Sequence, residues 1–366
     1  MVNTKTTIVE NITRKSNFEL LRIITMLFIV LHHFVVHGLR IAGYSRLYPE
    51  EHPTNVGFLL NSFFVIGVNV FVLISGYFSI KQSWKSFLRL YAICLFYNVL
   101  LAVLIENYSL FAALKDSIRI FSDNKYWFIT DYFLLWLISP VLNSVIEGMK
   151  GNKQKFILFL ILFAVFEFYF GWFWKGAYSF NGYNLWNFMF LYFIGRFISL
   201  HTKENHSLRK WYLFTYLFIS LVTAFLMIQT QFDDIRLKDR LYDYNSPLII
   251  IASVAFLLLF RNINIKSKAI NWLASSVLAI YLITESPWVG PKYLYPFIYN
   301  YMEKTVENGW LLTLYIFLLA IAIVIACLLI DRIRILISKP IENLLCKIPV
   351  ERYIKRAIYE LDKLIQ

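Results

Sequence analysis

"LLRIITMLFIVLHHFVVHG" (Leu20–Gly38) is apolar along most of its length, yet it carries Arg22, His32, His33 and His37. As a helix rising 1.5 Å per residue, such a stretch approaches the roughly 30 Å hydrocarbon core of a bilayer. It is too long for a signal peptide and no small-residue cleavage site follows, so it reads as a retained span. Each charge at the centre of a membrane helix costs about 2.5–3.5 kcal/mol. Four ionisable groups in one span therefore need a reason.

The remainder of the chain sets the class. Of 366 residues, 59% are hydrophobic and 19% aromatic, with a mean hydropathy of +0.58. No soluble domain keeps that much apolar surface from water, which predicts an all-α integral membrane protein, a bundle of about ten transmembrane helices. The expected spans are Phe18–Gly38, Gly57–Ile80, Trp84–Glu106, Tyr126–Glu147, Lys155–Trp174, Tyr183–Leu200, Trp211–Thr230, Ser246–Phe260, Ile270–Val289 and Trp310–Ile330. This gives a cytoplasmic N-terminal segment (1–17), a ten-helix membrane domain (18–330) and a basic amphipathic cytoplasmic tail (331–366).

The formal charge of +13 does not require nucleic acid. With the N-terminus inside, 22 of the 36 Lys and Arg residues fall in cytoplasmic segments, and the outer loops carry Glu50, Glu51, Asp233, Asp234, Asp239 and Asp243. That is the positive-inside pattern of a multi-pass cell-membrane protein with both termini cytoplasmic. In the tail, Ile341, Leu344, Leu345 and Ile348 recur at helical spacing among basic residues, as expected of a helix lying on anionic membrane lipids. Cys94, Cys327 and Cys346 are too scattered for a disulfide framework or a metal site. Most of the 24 tyrosines and 10 tryptophans suit interfacial belts and packing. Trp127, Trp172, Trp174 and Trp186 lie near outer ends, where an acceptor could touch them. Nothing in the sequence sets an oligomeric state.

Helical geometry groups the polar residues. Arg22 and His33 are eleven residues apart, about three turns, so they share a face roughly 16 Å apart along the axis. Glu19 is placed to pair with Arg22 at i,i+3, while His32 points about 100° from His33. Arg22, Lys85, Arg89 and Arg196 all come at cytoplasmic span ends, where an arginine fork suits phosphate oxygens. His33, Asp131 and Glu285 each come about 22 Å from the cytoplasmic surface, an expected acid/base level, with Asn69 at mid-depth.

Several motifs resemble the membrane-bound acyltransferase 3 family. "FELLRIITMLFIVLHH" (Phe18–His33) is similar to its first-helix motif, with arginine ten residues ahead of the first of two histidines and eleven ahead of the second. "GVNVFVLISGYF" (Gly67–Phe78), "YWFITDYFLLWLISPVLN" (Tyr126–Asn143) and "LAIYLITESP" (Leu278–Pro287) resemble its later signatures in the same order. The resemblance implies O-acyltransfer, usually of acetyl from cytoplasmic acetyl-CoA to a sugar hydroxyl on an envelope glycan or lipid-linked saccharide in a bacterial cell. It implies Arg22 and His33 as the essential pair and Arg89 as the end of an Arg-x-x-Arg element. The chain departs from the pattern at three positions. Ser86 stands at that element's first arginine, with Lys85 beside it; Asn69 stands where the family has aspartate; and Thr284 replaces a later histidine, leaving Glu285 as the nearest ionisable group.

The chemistry suits these residues. An alcohol is a poor nucleophile at neutral pH, and imidazole, with an unperturbed pKa of about 6.5, is available as its base. The expected catalytic set is His33, Arg22, Asp131 and Glu285. Arg22, Lys85, Arg89 and Arg196 are expected to hold acetyl-CoA, and no metal is expected. His33 as base and His33 as transient acetyl carrier are both compatible with the sequence. A proton-coupled transporter is the alternative reading, because intramembrane His, Asp and Glu also build proton relays. It predicts paired repeats and broken mid-membrane helices, which the sequence does not display.

Overall fold

A computed structural model describes residues 15–41, 54–122, 125–175, 181–230, 240–303 and 305–345, with scattered positions from 347 to 360. The outer-loop carboxylates Glu50, Glu51, Asp233, Asp234 and Asp239 lie outside the described residues, as do the side chains of Ile341, Leu345 and Ile348.

Apolar runs interrupted by polar caps give helices throughout, and the described residues contain no strand. In order they are α1 (Ser16–His33), continued by a widened turn at Phe34–Gly38, α2 (Thr54–Phe64), α3 (Gly67–Phe78), α4 (Trp84–Glu106), α5 (Leu110–Ser117) and α6 (Trp127–Glu147). There follow α7 (Lys153–Val165), widened to Phe173, α8 (Leu185–His201), α9 (Arg209–Thr230), α10 (Pro247–Arg261), α11 (Lys268–Ala274), α12 (Val277–Thr284), the one-turn α13 (Tyr295–Ile298) and α14 (Gly309–Leu345). Asn152 and Asn184 cap α7 and α8 by accepting the N–H of Lys155 and Asn187 at 2.9 and 3.1 Å.

Among the described residues, seven helical stretches are long and apolar enough to cross a membrane: Ser16–Gly38, Asn55–Phe78, Trp84–Glu106, Trp127–Glu147, Lys153–Phe173, His206–Thr230 and Gly309–Pro340. The chain is thus an all-α, multi-pass membrane protein. The other three expected spans form shorter helices: α8 has 17 residues, α10 has 15, and the ninth is broken between α11 and α12. Ser275 and Ser276 make the break, and Arg332 of α14 donates to the Trp272 carbonyl and the Ser275 hydroxyl there. A membrane helix tolerates a break only when neighbours satisfy the freed backbone in this way. Pro140 poses the same problem inside α6, where it removes the N–H that would reach Trp136. The Ser139 hydroxyl donates to that carbonyl at 2.8 Å.

Helix α1 is central, packing against α2, α3, α10, α11, α12 and α14. Helices α3 and α8 approach most closely. A Cβ on Gly76 would lie 2.2 Å from the Tyr192 carbonyl oxygen, and one on Gly195 would lie 2.3 Å from that of Leu73. Small residues that let backbones meet are the usual means of helix association in membranes. Helix α14 does not end at residue 330. It carries Asp331 and Arg334, both buried, in an ion pair of 2.6 Å, and the Tyr97 hydroxyl of α4 donates to the same carboxylate at 2.7 Å.

Candidate functional site

The site begins with the face of α1 on which helical spacing placed Arg22 and His33. Arg22, Met26, Ile29 and His33, at i, i+4, i+7 and i+11, line one wall of a cavity of about 220 Å³. Trp127, Phe128 and Tyr132 of α6 and Leu278 and Tyr281 of α12 face them. The walls are mostly apolar, with the guanidinium of Arg22 and the imidazole of His33 as the charge-bearing groups. A second cavity of about 400 Å³ adjoins the first and shares Arg22, Ser75, Leu90 and Tyr132 with it. Lys81 and Ser86 line this second cavity too. The two adjoining cavities together make up a passage, of which Arg22 lines both parts and His33 only the first.

Arg22 donates to Glu19 at 3.0 Å, as the i,i+3 spacing requires, and its side chain stays 38% exposed while that of Glu19 is 7% exposed. The guanidinium therefore has one carboxylate partner and donors left over for a ligand.

His33 meets Glu285. Its Nδ1 lies 2.8 Å from Glu285 Oε1, at contact distance but off the angle of a full hydrogen bond, and Nδ1 has no other partner. A carboxylate oxygen accepts, so a hydrogen bond formed at this contact would place a proton on Nδ1 and leave Nε2 as the basic nitrogen. Glu285 reaches this place because α12 ends at Thr284 and the chain turns away at Glu285, whose N–H bonds to the Tyr281 carbonyl at 2.9 Å. The hydroxyl of Tyr295 donates to the same Oε1 at 2.8 Å. The ring of His37 lies 5.7 Å from that of His33, nearly parallel, and 5.0 Å from Tyr295. His33 is thus held between a carboxylate and a second imidazole, with its carboxylate held in turn by a tyrosine.

Neighbouring polar groups support this arrangement from behind. Nδ1 of His32 lies 2.6 Å from Asn61 Oδ1, and its Nε2 lies 3.5 Å from the Tyr244 hydroxyl. The side-chain amide of Asn69 donates to the Tyr244 carbonyl at 2.8 Å, so it anchors that tyrosine rather than facing the cavity. Tyr244 in turn stacks on Trp127, a cavity wall, with centroids 5.7 Å apart. Thr284, which the resemblance aligns with a histidine, donates back to the Ile280 carbonyl at 3.0 Å and is buried against its own helix.

The other expected residues sit elsewhere. Asp131 lines neither cavity and has no hydrogen-bond or ion-pair partner among the described residues. Arg89 is exposed, and Arg196 reaches the Tyr77 carbonyl at 3.5 Å; neither lines the passage, nor does Lys85. Lys81 and Ser86 line it instead. Sequence reasoning did not single out Lys81, and Tyr295 gave no signal, lying in an irregular stretch with no period. Among the described residues no group of three His, Cys, Asp or Glu side chains could hold a metal. A family model described as an acyltransferase domain matches residues 15–332. No curated protein and no solved structure matches the chain.

Proposed function

This chain belongs to the acyltransferase 3 family and is a membrane acyltransferase, and from that premise we propose that it moves an acetyl group from cytoplasmic acetyl-CoA to a sugar hydroxyl. The acceptor is an envelope polysaccharide or a lipid-linked saccharide of a bacterial cell membrane. The observation that carries this reading is the passage that leads from the cations Lys81 and Arg22 to a histidine held by a carboxylate.

Each part has a role. Arg22, with Lys81 in the second cavity, binds the phosphates of the donor, for which a planar fork and an ammonium are both suited. The apolar walls between Arg22 and His33 accept a thin thioester arm, and the roughly 16 Å between the two residues separates the anchored phosphates from the reacting carbonyl. Nε2 of His33 takes the proton of the acceptor hydroxyl as the oxygen attacks the thioester carbon. The tetrahedral intermediate collapses, the carbon–sulfur bond breaks, and the same proton passes to the leaving CoA sulfur. Glu285 holds the Nδ1–H tautomer and stabilises the imidazolium formed in between. The off-angle contact tightens when substrate fills the site, as contacts between catalytic groups often do.

The test uses membranes holding wild type or His33→Ala at matched protein levels, supplied with acetyl-CoA labelled in the acetyl group. The reading predicts label in envelope glycan or lipid-linked sugar from wild type only. Equal label from both removes His33 from the chemistry.

A further inference from the structure

Resting on the reading that His33 and Glu285 form the reacting pair, we infer that Tyr295 is a positioning residue for the reaction, acting through Glu285. The hydroxyl of Tyr295 and Nδ1 of His33 converge on one oxygen, Glu285 Oε1, each at 2.8 Å. Glu285 caps the end of α12 with its backbone N–H on the Tyr281 carbonyl, and the hydroxyl of Tyr295 is the hydrogen-bond donor that holds its side-chain oxygen toward His33.

The chain is built to bring Tyr295 there. After Glu285 it turns through Pro287, winds loosely over Gly290–Leu294 and presents Tyr295 at the start of α13. The return requires a residue without a Cβ at position 290. A Cβ on Gly290 would lie 2.5 Å from the Thr284 carbonyl oxygen and 2.9 Å from the Tyr295 hydroxyl itself. A second glycine seats α13 on the end of α1, since a Cβ on Gly38 would lie 2.7 Å from Ile298. The ring of His37 covers the tyrosine at 5.0 Å. The approach at Gly290 meets the hydroxyl itself, the one at Gly38 seats its helix, and the tilted His37 ring covers the tyrosine, so a phenylalanine would fill the same space without holding the carboxylate.

The experiment compares purified wild type, Tyr295→Phe, Gly290→Ala and the double variant, reconstituted in lipid nanodiscs, by kinetics and by NMR of isotope-labelled imidazoles. Removing a hydrogen bond to a charged group predicts a fall in kcat of about 10–100-fold for Tyr295→Phe, with KM for acetyl-CoA within about twofold. Gly290→Ala displaces the hydroxyl and gives a loss of the same kind. The double variant is no worse than the poorer single one by more than about twofold, because both act on one contact. The imidazole signals of His33 move in both single variants while those of His32 stay. A kcat for Tyr295→Phe within about twofold of wild type, or unmoved His33 signals, overturns the inference. A wild type that transfers no acetyl group counts against the donor and acceptor reading instead, and the NMR comparison still decides the role of Tyr295.

Discussion

Glu285 Oε1 lies 2.8 Å from His33 Nδ1, so the fold joins a residue of the first span to one from the last quarter of the chain. Glu285 does so from the end of a short helix whose partner half stops at Ser275. The break at Ser275–Ser276 lets α12 take its own direction, and Arg332 satisfies the backbone groups that the break frees.

Arg22 lines both cavities, and its Glu19 partner leaves donors free. In the proposed reading the fork anchors the donor's phosphates equally in ground and transition states. Arg22→Gln is expected to raise KM for acetyl-CoA about tenfold or more, with a smaller effect on kcat. Steady-state kinetics across donor concentration checks this; an unchanged KM would separate Arg22 from the donor.

Asp131 is placed off the passage. Asp131→Asn is expected to leave turnover within about twofold of wild type, since it has no contact with the proposed reacting pair of His33 and Glu285. The same acetyl-transfer assay reads it, and a loss comparable to that of His33→Ala would restore Asp131 to the reaction.

The face shared by Arg22 and His33 was legible because one helix imposes its own period. Glu285 was legible only as a depth, since counting residues along a span places a carboxylate at a level but not on a face. Asp131 shared that level and faces elsewhere. Tyr295 was hidden because its stretch follows neither helical period, and close backbone approach at Gly290 is a property of packing that a sequence does not display. Among the described residues seven helices, against the ten spans expected, reach full spanning length, for a related reason. Hydropathy marks apolar segments, whereas the length of α8, α10 and the α11–α12 pair is cut by caps and by the serine break.

Asp331 and Arg334 pair on α14 with both side chains under 6% exposed, and Tyr97 of α4 completes the cluster. Removing one partner leaves a buried charge unpaired. Arg334→Ala is expected to cost about 3–5 kcal/mol of stability, and Tyr97→Phe about 1–3 kcal/mol. Thermal unfolding of the purified protein in one detergent measures both, and equal stability in the two variants would contradict the ranking.

The contact of α3 with α8 leaves no space for a side chain. Gly76→Ala forces a Cβ against the Tyr192 carbonyl, and overpacking of this kind costs about 1–3 kcal/mol or more. The expected outcome is a lower yield of folded protein and a lower unfolding temperature, whereas Gly151→Ala, which meets nothing within 4 Å, behaves as wild type in both measurements.

The central claim is that His33 and Glu285 are the reacting pair, and the most direct measurement is kcat of purified Glu285→Gln with saturating acetyl-CoA and acceptor. Glutamine keeps the shape but loses the charge that holds the Nδ1–H tautomer and stabilises the imidazolium. The account predicts a fall in kcat of about 10²–10⁴-fold, with unfolding temperature and KM for acetyl-CoA close to wild type. A variant as folded as wild type that retains its full kcat would contradict it.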